Sequence, residues 1–140
     1  MLKTLFTHLL FREEDVLLMD MYAGVEHISR ATVDFIDLML IVTEPSRRSI
    51  DAAKQMKKLS EEIGLSNIAI VVNKARDEED VNFVQAELQD MKILGSFQRS
   101  DVPDMADREY VPLFEYSEDY KEITLELAKK ITKIVDESRN

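Results

Sequence analysis

The chain has 140 residues, 45% of them apolar, with 18 basic against 28 acidic side chains and a net charge of −10. That length suits one domain, 1–140, with enough apolar mass for a real core, while the acidic field repels phosphate backbones and anionic headgroups and so argues against nucleic acid as a partner. No cysteine occurs, which excludes a disulfide framework, a thiolate metal site and a cysteine nucleophile from this chain and fits a reducing cytoplasm.

Residues 1–11 are partly apolar but have neither a basic flank nor a small-residue cleavage site, and they run into Glu13, Glu14 and Asp15. They read as a helix and not as a signal. The apolar runs that follow, 38–42 and 68–72, are far shorter than the roughly 20 residues of a membrane-spanning helix, so no membrane partner is expected.

Strand-length apolar runs alternate with stretches of helical period, which predicts an α/β fold: a mostly parallel sheet with crossover helices. The predicted strands are 16–20, 37–43, 68–73 and 92–97, the middle two apolar enough for both sheet faces to be covered. Ile50, Ala53, Met56, Leu59 and Ile63 recur at helical spacing, with Gly64 placed to end that helix. Asp77 can cap a second helix through Leu88, with Val81 and Val84 inward, and a last helix is predicted over 117–136.

The segment Val16-Leu17-Leu18-Met19-Asp20-Met21-Tyr22-Ala23-Gly24 is an apolar strand pattern ending in aspartate, with a glycine shortly after. This is the Walker B and switch II arrangement. A carboxylate at the C-terminal end of a strand can hold Mg²⁺ directly or through water, and a glycine beyond it lets a backbone N–H approach a γ-phosphate. An aspartate ending a strand also serves simply to cap a helix, so the motif alone leaves both readings open.

Three further stretches extend the pattern: the continuation through Val25-Glu26-His27, then Val42-Thr43-Glu44-Pro45-Ser46-Arg47-Arg48-Ser49, then Val71-Val72-Asn73-Lys74. In order and approximate spacing they resemble the CooC-like ATPases, maturation factors of carbon monoxide dehydrogenase within the MinD/ParA-type deviant P-loop ATPases. Of these, the Thr43 to Ser49 string is the most specific. The resemblance implies a P-loop NTPase (SIMIBI-like) fold that is incomplete here, ATP and Mg²⁺ as cofactors, and a role in nickel insertion for a metalloenzyme client. By the same resemblance Asp20 is the catalytic switch II aspartate and an indirect Mg²⁺ ligand, and Gly24 faces the γ-phosphate. Asn73, with Lys74, reaches the adenine edge, and Asp101 closes the loop over the base that starts at Phe97.

There are departures from that family. The loop proline is displaced to Pro103, and Tyr22 stands where an acidic residue is usual, although an aromatic ring cannot polarise water as a carboxylate does. The deviant Walker A string K-G-G-x-G-K-[ST] does not occur: the three glycines are Gly24, Gly64 and Gly95, and no Gly-Lys-Ser or Gly-Lys-Thr is present. Backbone N–H groups, lysine and hydroxyl of that loop cradle phosphate and Mg²⁺, so the chain reads as the C-terminal portion of an ATPase domain that is not able to hydrolyse ATP alone. In such folds the Walker A strand lies centrally, beside the Walker B strand. Without it, open strand edges favour a homodimer or a polypeptide supplying that segment, unless strand 16–20 pairs directly with 37–43.

The rival reading is a non-catalytic α/β interaction module that uses the exposed sheet region or Arg47 and Arg48 to bind a protein. Those arginines also fit a solvated helix start, and the acidic run Asp77-Glu78-Glu79-Asp80 fits a helix N-terminus. His8 and His27, the two histidines, make a poor metal set without thiolates.

Overall fold

The computed structural model describes residues 15–21, 33 and 35–139. Among them the elements run β1 (Met39–Thr43), α1 (Arg47–Ile63), β2 (Ile68–Ala75), α2 (Glu78–Glu87), β3 (Lys92–Gln98), α3 (Val102–Arg108), α4 (Leu113–Tyr116) and α5 (Glu118–Arg139). The strands form one parallel sheet in the order β1-β2-β3, with Ile41 opposite Ile70 and Ile70 opposite Ile93.

Parallel neighbours need a crossover, and two right-handed crossovers stepping in one direction place both helices on the same face. The core shows that arrangement. Ile41, Ile70 and Val72 from the sheet meet Ile50 and Ala53 of α1 and Val84 of α2, all at most 2% exposed. Burial of a side chain such as Ile70 contributes roughly 1.5–3 kcal/mol. The opposite face lies under α5, whose Leu127 sits 3.6 Å from where a Cβ on Gly95 would be. Along the same helix, Lys130 Nζ donates to the carbonyl of Leu94 at 2.9 Å, next to an irregularity where β3 gains a residue on β2 between Ile93 and Gly95.

Local signals explain the helix boundaries. Ser46 caps α1 by accepting from the Ser49 N–H at 3.3 Å, and Gly64 closes it at φ 100°, a left-handed conformation suited to glycine. Asp77 caps α2 by accepting from the Asp80 N–H at 3.1 Å. The Asp80 carboxylate turns away from the helix end and grips Arg76: its two oxygens accept from the Arg76 backbone N–H at 2.9 Å, Nε at 2.9 Å and Nη2 at 2.8 Å. These bonds, from the guanidinium first and the backbone second, hold this buried carboxyl down at about 2. The acidic run stands at the helix N-terminus as the sequence predicts, and one member of it, Asp80, also locks the β2–α2 turn.

The predicted strand 16–20 does not form. Residues 15–21 join no ladder, and Val16, Leu17 and Leu18 are 59%, 48% and 81% exposed. A strand is held by its neighbours' backbone groups, and β1 pairs only with β2 among the described residues. Direct closure of 16–20 onto 37–43 is therefore absent. Val42, which points to the face away from α1, is left 62% exposed. The helices α3 and α4 were not foreseen; both are short and lie in a segment with little apolar periodicity.

Candidate functional site

All three strands point the same way, so their C-terminal ends open on one side. Ligands of open α/β sheets bind there. A groove of about 1050 Å³ occupies that end, bounded by Glu44 after β1, Asn73 and Lys74 in β2, Phe97 and the 98–101 loop after β3, and Leu113 and Phe114 of α4.

At the end of β1, Thr43 is buried and its hydroxyl shares a 2.9 Å hydrogen bond with that of Ser49, whose Oγ also accepts from the Glu44 N–H at 2.9 Å. The first turn of α1 is thereby fastened to the strand. The string from Thr43 to Ser49 thus acts as a structural clamp that sets the floor of the groove.

In β2 the register with β3 slips between Val72 and Ala75, so Asn73 and Lys74 bulge out of the ladder toward the groove. Lys74 takes φ 56°, a left-handed conformation uncommon outside glycine and asparagine. It is stabilised there on two sides: its N–H donates to Asn73 Oδ1 at 3.0 Å, and its Nζ pairs with Glu44 Oε1 at 2.7 Å. With Oδ1 occupied, Asn73 offers its amide N–H groups to a ligand acceptor.

The 98–101 loop is tied down from α5. The Tyr120 ring stacks on Phe97, centroids 5.9 Å apart and 18° from parallel, and its hydroxyl donates to the Gln98 carbonyl at 3.3 Å and meets Ser100 Oγ at 3.0 Å. The groove therefore combines apolar walls from Phe97, Leu113 and Phe114 with amide and charged groups. Three cations line it. Lys74 is paired with Glu44 and Arg76 with Asp80, while Arg99 makes no ion pair with a described residue.

The chain has sequence relatives among ATP-binding proteins. An uncharacterized ATP-binding protein of Methanocaldococcus jannaschii is 46% identical over 79 residues, covering 56% of this chain and 31% of that protein. The carbon monoxide dehydrogenase accessory protein CooC of Rhodospirillum rubrum is 35% identical over 96 residues, covering 69% of this chain and 36% of CooC. This chain is a relative of the CooC-like ATPases of the MinD/ParA type. A second M. jannaschii ATP-binding protein, 30% identical over 128 residues, matches across 87% of this chain and 50% of its own length. The crystal structure of a ParA family ATPase from Chlorobium tepidum TLS superposes with TM-score 0.50 at 24% identity, covering 84% of the chain and 47% of that protein, so the α/β fold is shared with about half of that ATPase. No protein-family model matches. This chain thus spans half or less of the length of these relatives.

Of the residues singled out in the sequence, the structure brings Asn73, Lys74 and Asp101 together in the groove. Asp20 is described but exposed on the unpaired 15–21 segment and is not among the groove residues. Gly24, Tyr22, His8 and His27 lie outside the described residues. Arg47, offered as a protein contact, carries contacts of its own within the chain: its guanidinium lies 5.4 Å from the Phe83 ring centroid and 3.0 Å from Glu87 Oε1. Lys54 takes the other oxygen of Glu87 at 2.9 Å, and these cations, Lys54 first, hold the Glu87 carboxyl below its usual range. Leu113, Phe114, Tyr120 and Arg99 were missed, because each reads as ordinary helix or loop composition until β3 and α5 bring them to one place. No described helix is long and apolar enough to cross a membrane, and no described group of three or more His, Cys, Asp or Glu could hold a metal ion.

Proposed function

We propose that this chain is the base-recognising part of a CooC-like ATPase, acting in the ATP-dependent maturation of a nickel metalloenzyme such as carbon monoxide dehydrogenase. The observation that carries the reading is the convergence of Asn73, Lys74 and Asp101 on one groove at the C-terminal ends of β1–β3. The groove suits a nucleobase: apolar and aromatic walls take a flat ring, and the Asn73 amide donates to a ring acceptor. Its size is that of a small-molecule site.

The donor set fits a triphosphate less well. Backbone N–H nests are what cradle phosphate, and the sequence has no Gly-Lys-Ser or Gly-Lys-Thr to form one, while Asp20 stands outside the groove. In this reading the chain by itself binds nucleotide weakly and does not hydrolyse it. Phosphate and Mg²⁺ are then gripped by a Walker A segment supplied from another polypeptide, or from a second part of the same one. A homodimer and a metalloenzyme client are the other partners proposed, in the cytoplasm, with neither nucleic acid nor membrane engaged.

Titration with ribose-labelled fluorescent ATP and ADP tests this. The expected dissociation constant is about 0.1 mM or weaker, and Asn73→Ala should weaken it about tenfold, the equivalent of about 1.4 kcal/mol. Micromolar affinity with steady hydrolysis would overturn the incomplete-site reading. Absence of binding at millimolar nucleotide would favour the non-catalytic interaction module.

A further inference from the structure

We propose that the α3–α4 segment, on the rim of the groove, is a docking surface for a basic amphipathic segment of a partner protein, one that presents lysine or arginine beside apolar side chains. Three observations on this stretch converge.

The first is exposed apolar surface. Met105 is 47% exposed, Tyr110 96% and Phe114 41%, all within one short stretch of chain. Isolated exposed apolar side chains are ordinary, but three so near one another in the chain, two of them aromatic, have the composition of an interaction site.

The second is backbone strain. Tyr110 ends α3 at φ 55°. Its N–H bonds to the Asp107 carbonyl at 3.0 Å, and the next N–H, of Val111, returns to Ala106 at 3.0 Å, the arrangement in which glycine or asparagine usually sits. An L-residue with a large ring is strained there, and this ring, almost wholly in solvent, packs on too little to offset it. A side chain kept at such a cost without folding benefit points to a role outside the folded chain.

The third is charge. Residues 101–119 hold Asp101, Asp104, Asp107, Glu109, Glu115, Glu118 and Asp119 against the single cation Arg108, and all seven acids are exposed. Glu118 is paired with Lys121 and Glu109 accepts from the Tyr116 hydroxyl, whereas Asp104, Asp107 and Glu115 make no ion pair with a described residue. A field of this sign repels nucleic acid and anionic lipid and attracts a cationic peptide. Exposed aromatic side chains in an acidic segment are complementary to a helix with apolar residues on one face and lysine or arginine on its flanks.

Phe114 and Asp104 also line the groove. A peptide held on this rim therefore touches a shared wall, and occupancy of rim and groove should be coupled reciprocally. The docking proposal itself rests on the surface alone and does not require the groove to bind nucleotide.

The test uses the full chain and three labelled synthetic peptides of about 20 residues: an amphipathic lysine/leucine helix, the same peptide with leucine replaced by serine, and its glutamate/leucine counterpart. Fluorescence anisotropy at moderate salt should show binding of the first alone. Tyr110→Gly should weaken that binding about tenfold while raising the thermal midpoint, because it relieves the left-handed strain as it removes the anchor. Phe114→Ser and the triple neutralisation Asp104→Asn, Asp107→Asn, Glu115→Gln should each weaken it similarly, with circular dichroism showing an unchanged fold. Equal binding of the serine peptide would reduce the effect to net charge and overturn the proposal. So would wild-type affinity in Tyr110→Gly, or binding to phosphatidylserine vesicles in place of the peptide.

Discussion

Replacing Ile70 and Val42 by alanine, singly, separates the face of the sheet covered by α1 and α2 from the β1 part of the opposite face, which α5 leaves open. Ile70 is fully buried between α1 and α2, and alanine there removes three carbons. At about 0.8 kcal/mol each, the transfer loss is about 2.4 kcal/mol, and the cavity left behind raises the total to about 3–4 kcal/mol. Val42 loses two carbons, but it is 62% exposed, so only about two-fifths of the corresponding 1.6 kcal/mol applies, or about 0.6 kcal/mol. With a urea dependence of about 1–3 kcal/mol/M, Ile70→Ala should move the midpoint by about 1–4 M and Val42→Ala by about 0.2–0.6 M. Urea melts at two protein concentrations, alongside light scattering, read both shifts. If Val42→Ala costs as much as Ile70→Ala at the higher concentration and less at the lower, a second copy covers β1 and the proposed homodimer gains direct support. A large, concentration-independent cost would refute the exposed placement of Val42 outright.

Two further substitutions address the turns. Gly64→Ala places a Cβ at φ 100°, with open space around it, so the penalty is conformational alone: about 1–2 kcal/mol, read as a lowered thermal midpoint, and no loss would contradict the left-handed cap. Asp80 titrates at about 2 in the folded chain against an ordinary 3.8, so its contribution is fully present above about pH 4 and is lost as pH falls from there toward 2. Asp80→Asn should flatten the pH dependence of stability across that acid window and leave its slope above pH 5 unchanged; parallel curves for both proteins would rule out the Arg76 clamp.

Much of the scaffold was legible in the sequence because its signals are local. The runs predicted as strands at 37–43, 68–73 and 92–97 form Met39–Thr43, Ile68–Ala75 and Lys92–Gln98, Gly64 stops α1 and Asp77 starts α2. Asn73 and Lys74 were recognisable from family resemblance, and the structure adds the bulge that lifts both out of the ladder. What was not legible depends on tertiary partners. The 16–20 run has every intrinsic property of a strand, but pairing is a property of two segments, and no described neighbour supplies the second. Arg47 looked available because its partners, Phe83 and Glu87, are far along the chain. The walls from Leu113, Phe114 and Tyr120 come from segments that chain order sets apart from Asn73 and fold topology brings back.

The bond from Lys130 to the Leu94 carbonyl gives the sheet a direction of growth. On the β3 side, an irregular register and a lysine ammonium occupying a main-chain acceptor make a poor template for an incoming strand. On the β1 side the apolar Met39–Thr43 strand pairs regularly with β2, and no described strand lies against its outer edge. Any added strand, from a second polypeptide or a second copy, is thus steered to β1. There it would lie next to Thr43 and the first turn of α1, so that the same event that completes the sheet would bring the newcomer's backbone to the mouth of the groove.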